Sequence, residues 1–95
     1  MKLSWSDLAK QELREIRRFS IGRWGVEVAY RYVADIRDAA RTAALEPYQL
    51  PMLKGAFRVK RIRSHYLIFQ IDTASGRMIV ARILHSAMDL ERHLQ

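Results

Sequence analysis

The chain has 95 residues, no cysteine and a formal net charge of +7, from seventeen Lys and Arg against ten Asp and Glu. This length allows a single domain over residues 1–95, and the lack of cysteine excludes disulfides and thiolate metal sites. Because no apolar run could span a membrane and no secretion signal opens the chain, we expect a soluble cytoplasmic protein. The positive charge favours an anionic partner, either nucleic acid, nucleoprotein or an acidic protein.

The first part of the chain predicts a short strand followed by a helix. Polar and apolar residues alternate over Lys2–Trp5, which is typical of a half-buried strand. Ser6 and Asp7 suit the N-cap and the first turn of the helix. Two glycines within residues 20–25 then predict a turn. The apolar stripe of the helix consists of Ala9, Leu13, Ile16 and Phe19.

A second helix is predicted from Val26 to Leu45. A weaker apolar line on it is either surface scatter or a strip covered by another chain, and it contains Val28, Tyr32 and Ala39. Trp24, just before this helix, is either a core anchor or an interface residue. The main apolar face consists of Val26, Ala29, Tyr30, Val33, Ile36, Ala40 and Ala44.

The second half predicts a loop and then strands. Two prolines within residues 46–51 cannot continue a helix. Three strands are predicted at Phe57–Ile62, His65–Ile71 and Arg77–His85, joined by hairpin connections. Their near-continuous apolar runs indicate that both faces are at least partly covered. The element order predicts an α+β domain with an N-terminal strand, a helical hairpin packed on an antiparallel sheet, and a short C-terminal helix.

The last strand contains a charged residue and ends in an imidazole. Arg82 either clamps a carboxylate or phosphate of a target, or pairs with Asp89, Glu91 or backbone carbonyls. His85 either bonds to nearby backbone and orients the following segment, or contacts the target directly.

The segment after this strand opens like a helix. Ser86 can cap its first turn, and Asp89, three residues later, completes a structural cap of the capping-box type. Arg92 and His93 follow near the end of the chain, where an exposed basic helix is well placed to meet another protein.

Basic residues also accumulate on the first strand of the second half. They either bind a partner or protect an unpaired sheet edge from aggregation, and they are Arg58, Lys60, Arg61 and Arg63. No glycine loop cradles a phosphate and no serine lies on a glycine elbow. The spacing of His65, His85 and His93 does not predict a metal site. We therefore predict no catalytic residue, no metal and no cofactor.

The string R-I-L-H-x-x-M-D-x-x-R-H-L at residues 82–94 resembles the C-terminal signature of ParE toxins, within the RelE/ParE superfamily. The first helix of the same family resembles residues 8–16, and its hairpin turn and second helix resemble residues 24–32. The family also has a strand of basic, His, aliphatic and aromatic residues, which residues 63–69 resemble. The resemblance implies a RelE/ParE-like fold and a type II toxin that inhibits or poisons DNA gyrase. It also implies neutralisation by a ParD-like antitoxin, with no direct nucleic-acid binding in the absence of gyrase.

Under this hypothesis the site residues form two groups. The candidates for target binding are Arg82, His85, Arg92 and His93. The candidates for antitoxin binding are Trp24, Val28, Tyr32, Leu50, Arg58, Lys60 and Arg61.

A RelE-like ribosome-dependent mRNA endonuclease is the main alternative. Metal-free RNA cleavage needs a base, an acid and cations around the phosphate. The residues available for these roles are Tyr66, His85, Arg58, Lys60 and Arg82. RelE-type enzymes carry catalytic groups near the end of the chain, where this sequence has Met88 and Asp89, and a carboxylate there repels phosphate. A decayed toxin without activity is a third possibility.

Overall fold

A computed structural model describes residues 1–88 of the protein. The predicted α+β class and helical hairpin are confirmed, while the predicted C-terminal helix with Asp89, Arg92 and His93 lies outside the described residues. No helix within residues 1–88 is long and apolar enough to cross a membrane. The elements are β1 (Lys2–Trp5), α1 (Asp7–Trp24), α2 (Val26–Leu45), β2 (Phe57–Ile62), β3 (His65–Asp72) and β4 (Arg77–His85), with a short 3-10 turn at Pro47–Gln49.

The four strands form one sheet in the order β1-β4-β3-β2. β3 runs antiparallel to both β2 and β4, as the hairpins predict. β1 pairs parallel with β4, placing Lys2 opposite Arg77 and Trp5 opposite Val80. The sheet is therefore mixed and not wholly antiparallel as predicted. A parallel pair needs a long crossover connection, which the intervening helices and hairpins provide.

The start of α1 covers the edge of β4 beyond the end of β1. The Ser6 backbone N–H donates to the Val80 carbonyl at 3.0 Å, and its hydroxyl donates to the Ala81 carbonyl at 2.8 Å. The same hydroxyl accepts from the Ala9 backbone N–H at 3.0 Å, so the predicted N-cap is confirmed. Ser6 thus ends β1, caps α1 and donates hydrogen bonds to two carbonyls of β4.

The core lies between the helical hairpin and one face of the sheet. Its fully buried side chains include Ala9, Ile36, Ala40, Leu67, Phe69, Met78 and Val80. Ile68 and Leu84, which alternate with core residues along their strands, are also fully buried, in agreement with the prediction that both faces are covered. Burial of these apolar side chains is the main favourable term in the stability of so small a domain.

The buried side of α1 differs from the predicted stripe by one position. Ser20 is 1% exposed, whereas Phe19, predicted to be part of the stripe, is 65% exposed. Both positions follow Ile16 at helical spacing, so periodicity alone did not separate them. The small serine takes the buried position, and the aromatic ring is left on the surface.

The apolar face of α2 is also rotated relative to the prediction. Val26 and Tyr30, assigned to the main face, are each 54% exposed. Tyr32, assigned to the weaker line, is 7% exposed and belongs to the core cluster. The prediction for these three residues was wrong because tyrosine and valine fit either side of an amphipathic helix on hydropathy alone.

The turn predicted over residues 20–25 is reduced to a single residue. α1 continues to Trp24, and Gly25 alone breaks the helix with φ of 92°. The Gly25 N–H donates to the Ile21 carbonyl at 2.9 Å, and its carbonyl accepts from the Ala29 N–H at 3.1 Å. This positive φ favours glycine, which lets the two helices meet without a loop.

Candidate protein-binding groove

A groove of about 340 Å³ lies where α1 passes the ends of β3 and β4. Phe19 and Trp24 form its most exposed wall, at 65% and 54% exposure, and their rings contact edge to face with centroids 6.2 Å apart. The other lining residues are Glu12, Glu15, Ile16, Ser20, Tyr32, Ser64, His65, Ile83, His85 and Met88. Sequence reasoning missed Phe19 because it was assigned to the core.

A tyrosine and two histidines form the polar end of the groove. The Tyr32 hydroxyl lies 2.6 Å from Nδ1 of His65 and 3.4 Å from the Ile62 carbonyl, so we assign its proton to the imidazole contact. His65 and His85 are opposite each other on β3 and β4, with ring centroids 5.3 Å apart. Burial, with a smaller effect of His85, lowers the pKa of His65 to about 4. His65 is therefore neutral at physiological pH.

His85 bonds to nearby backbone, as one of its two interpretations predicted, while its contact with a target stays a prediction. Its Nδ1 accepts a hydrogen bond from the Ala87 backbone N–H at 3.1 Å, which shapes the chain as it leaves β4. The side chain is nevertheless exposed on the wall of the groove. Ser86 lies in this turn and donates its backbone N–H to the Ser64 carbonyl at 2.8 Å. The helix that Ser86 was predicted to cap lies outside the described residues.

Arg82 is held in an ion pair that crosses from β4 to α1. Its Nη2 lies 2.9 Å from Oε2 of Glu12, and its Nε lies 3.2 Å from the same oxygen. Glu12 also accepts from the backbone N–H of Ile83 at 2.9 Å. The side chains are 25% and 15% exposed. Arg82 thus has a structural partner that sequence reasoning missed.

Glu12 had a detectable signal in the sequence. It lies three residues after Ala9 and four before Ile16, on the side of α1 that turns toward the sheet. A carboxylate in that position needs a partner when it is partly buried, and Arg82 is the polar residue within the apolar strand. The partly buried carboxylate of Glu12 and the guanidinium of Arg82 therefore pair with each other.

The antitoxin candidates fall on two separate surfaces. Trp24 lines the groove, and Val28, close by at the start of α2, is 43% exposed. Tyr32 lines the groove but is buried, so mainly its hydroxyl end is available for the polar network. Leu50, which follows the 3-10 turn after α2, packs against the core and is half-buried.

The basic candidates on β2 form the second surface. Arg58 donates to the carbonyls of Tyr48 and Leu50 at 3.2 and 3.0 Å. Arg61 donates to the Arg63 carbonyl at 2.8 Å, while Lys60 is half-buried. β2 is an edge strand, as one interpretation of its charges required.

The residues considered for RNA cleavage do not converge in the groove. Arg58 binds loop carbonyls and Arg82 binds Glu12, so both guanidiniums have protein partners. Tyr66 packs under the Arg61 guanidinium, 5.6 Å from its ring centroid, and does not line the groove. Of the five, only His85 lines the groove, beside the carboxylates of Glu12 and Glu15.

The chemistry of the groove suits protein contact. Among residues 1–88 its lining contains no Lys or Arg, and the exposed carboxylate of Glu15 disfavours phosphate groups. Within residues 1–88 no three His, Cys, Asp or Glu side chains are placed to hold a metal ion. Exposed aromatic rings beside a few polar groups are typical of protein interfaces.

The sequence matches known proteins over most of its length. Residues 3–90 match the family model of the ParE toxin of the type II toxin–antitoxin system parDE. The chain is 32% identical over 92 residues to Toxin ParE1 of Mycobacterium tuberculosis, covering 94% of this chain and 93% of the relative. It is 36% identical over 89 residues to Toxin ParE of Escherichia coli, covering 90% of this chain and 85% of the relative.

Solved structures share the fold at lower sequence identity. A chain of the chromosomal ParDE toxin–antitoxin system from P. aeruginosa superposes with a TM-score of 0.80 at 20% identity, covering 90% of this chain and 95% of that one. The YoeB/ParE toxin from Agrobacterium tumefaciens superposes with a TM-score of 0.66 at 20% identity, covering 90% and 98%. These similarities establish the architecture alone.

Proposed function

Because the chain belongs to the ParE toxin family of type II toxin–antitoxin systems, we propose that it inhibits DNA gyrase and is neutralised by a ParD-like antitoxin. The observation that supports this most directly is that the groove gathers candidates for both partners. The groove is lined by Trp24 and Tyr32, which are candidates for antitoxin binding, and by His85, which is a candidate for target binding.

The target is proposed to bind at the aromatic wall of the groove. Phe19 and Trp24 leave large apolar surfaces in water, and aromatic side chains of this kind carry much of the binding energy in protein interfaces. The exposed carboxylate of Glu15, on the same helix as Phe19, favours a protein surface over a bare phosphate backbone. The toxin is therefore proposed to contact gyrase itself, with no bond-making chemistry of its own.

The antitoxin is proposed to act by covering this groove. If both partners need Trp24, the two complexes exclude each other, and neutralisation follows from competition for one surface. The basic edge of β2, with Arg58, Lys60 and Arg61, offers a second attachment for an acidic chain that orders on binding. Toxicity is then released when the antitoxin is removed.

The RelE-like alternative receives less support from the geometry. Its proposed cations, Arg58 and Arg82, already bond to protein groups, and the exposed carboxylate of Glu15 in the groove disfavours phosphate. Arg92 and His93, considered for target binding, lie outside the described residues and stay predictions.

A supercoiling assay with purified gyrase and folded, antitoxin-free protein tests the proposal. We expect wild type to inhibit supercoiling, and Trp24→Ala to inhibit about tenfold or more weakly, because loss of an interface tryptophan costs about 2 kcal/mol or more. Leu45→Ala is the matched control, since Leu45 is 78% exposed and lies outside the groove.

Three results contradict the proposal or parts of it. No effect of wild type on supercoiling or on gyrase-dependent cleavage removes gyrase as the target. Message cut at the ribosome by the same preparation supports the endonuclease alternative. A folded variant ending at Leu84 that inhibits as well as the intact chain removes any role of His85, Arg92 and His93 in target binding.

A further inference from the structure

A second concavity lies on the side of α1 opposite the groove. It has a volume of about 240 Å³ and is bounded by α1, α2 and the end of β1. Its floor consists of Leu13, Val33 and Trp5. Around this floor stand four cationic side chains, which define the basic cleft: Lys10, Arg14, Arg17 and Arg37.

The cations of the basic cleft lack compensating charge. No carboxylate lines it, and within residues 1–88 none of the four side chains forms an ion pair or a side-chain hydrogen bond. Lys10, Arg14 and Arg17 are spaced by four and three residues on one side of a helix, where like charges repel. Lys10 also lies near the positive end of the helix dipole. An anion bound here relieves this repulsion.

The shape of the basic cleft separates two kinds of anionic partner. A duplex presents evenly spaced phosphates to an extended surface and gains little from a narrow concavity with an apolar floor. A peptide with carboxylates beside leucine-like side chains uses both the cations and the floor of Leu13 and Val33. The observations therefore favour an acidic amphipathic peptide.

We propose that the basic cleft binds carboxylate side chains of an acidic, amphipathic segment of the antitoxin. This inference rests on the antitoxin partner proposed above and adds a surface to it. The groove and the basic cleft flank the same helix, so one partner chain crossing α1 would occupy both. Charge attraction at the basic cleft would then speed association, while the groove supplies apolar contact.

Fluorescence anisotropy with a labelled synthetic helical peptide of Glu, Leu and Ala tests the proposal. We expect salt-sensitive binding to the wild-type protein, and about tenfold or greater weakening in a variant with Arg14→Glu and Arg17→Glu. The matched control carries Arg18→Glu and Arg31→Glu, an equal change of charge at exposed positions outside the basic cleft, and should bind within about twofold of wild type. A peptide with Gln in place of Glu should not bind.

Circular dichroism checks that each variant is folded, and a variant with Arg14→Gln and Arg17→Gln should show an intermediate loss. Equal weakening in both charge-reversed pairs overturns the proposal, because it indicates a general field and no specific cleft. Absence of peptide binding also overturns the proposal. It is overturned as well if Arg14 and Arg17 are needed for binding a single-stranded or duplex oligonucleotide but are not needed for binding the peptide. Neither gyrase nor antitoxin is present, so failure here and failure of the supercoiling assay are independent.

Discussion

Glu12 holds Arg82 and the backbone of β4 at the same time. One carboxylate accepts from the Arg82 guanidinium at 2.9 Å and from the Ile83 N–H at 2.9 Å. β1 ends at Trp5, so this part of the β4 edge has no neighbouring strand. The Glu12 side chain of α1 therefore accepts the hydrogen bond from the Ile83 N–H that the backbone of a longer β1 would otherwise accept.

Replacing Glu12 by Gln should destabilise the fold. The amide carries no charge to neutralise the partly buried guanidinium. It also has a single accepting oxygen, which cannot serve both Arg82 and the Ile83 N–H, so we expect a loss of about 1–3 kcal/mol in the free energy of unfolding. Urea denaturation measures the change. Glu15→Gln, an exposed position on the same helix, should alter stability by less than about 0.5 kcal/mol. Equal effects of the two substitutions would show that the ion pair contributes nothing specific.

Tyr32→Phe tests the hydrogen bond at the polar end of the groove. The ring stays buried while the 2.6 Å contact with His65 is lost, which should cost about 1 kcal/mol of unfolding free energy. Tyr30→Phe is the control, because Tyr30 is 54% exposed on the same helix and should change stability little. A Tyr32→Phe protein as stable as wild type would mean that water replaces the tyrosine hydroxyl without loss.

The stability should fall as the pH drops from 6.5 to 4. Burial and the neighbouring His85 lower the pKa of His65 from 6.5 to about 4, so across this range the unfolded chain binds a proton that the folded chain does not. Since the ring is only partly buried, we expect His65 to contribute about 1–2 kcal/mol to this loss.

Urea midpoints of wild type and His65→Asn, compared across this pH range, isolate the contribution of the imidazole. The difference between the two midpoints should change between pH 6.5 and 4. It should be constant above pH 6.5, because His65 is then neutral in both the folded and the unfolded chain. An NMR titration of His65 with a midpoint near 6.5 would contradict the prediction directly.

Arg61 should protect the protein from aggregation. Residues 51–53 bond to the outer edge of β2 at Phe57 and Val59, through Leu53 N–H to the Phe57 carbonyl and Val59 N–H to the Pro51 carbonyl. The backbone alternation leaves the edge open at Arg61, which is exposed. Arg61→Val should therefore increase the rate of aggregation measured by light scattering. Arg18→Val removes the same charge from a helix and should not raise that rate.

Local signals in the sequence predicted the elements well. The Ser6 cap, the prolines after Leu45 and the apolar alternation of the strands predicted their bounds almost to the residue. These features depend on neighbours within a few positions, so the pattern contains the information. The parallel pairing of β1 with β4 depends on contacts more than seventy residues apart in the sequence, for which alternation offers no signal.

The candidate groove was predicted only in part. His85 was identified because a strand ends there, and Trp24 because it stands at the hairpin. Phe19 and Tyr32 were assigned to the wrong environments because helical spacing allows an apolar side chain at either edge of a buried stripe. The Glu12–Arg82 pair could not be read as a pair, because nothing local links an α1 carboxylate to the last strand.

The position of β4 has a consequence for synthesis of the protein. It is the last strand within residues 1–88, yet it lies inside the sheet between β1 and β3. The first strand and the start of α1 therefore have no docking site on the sheet until the ribosome has made residues 77–85. The groove uses Ile83 and His85 of this strand, so the surface proposed to bind both partners forms only once β4 has joined the sheet.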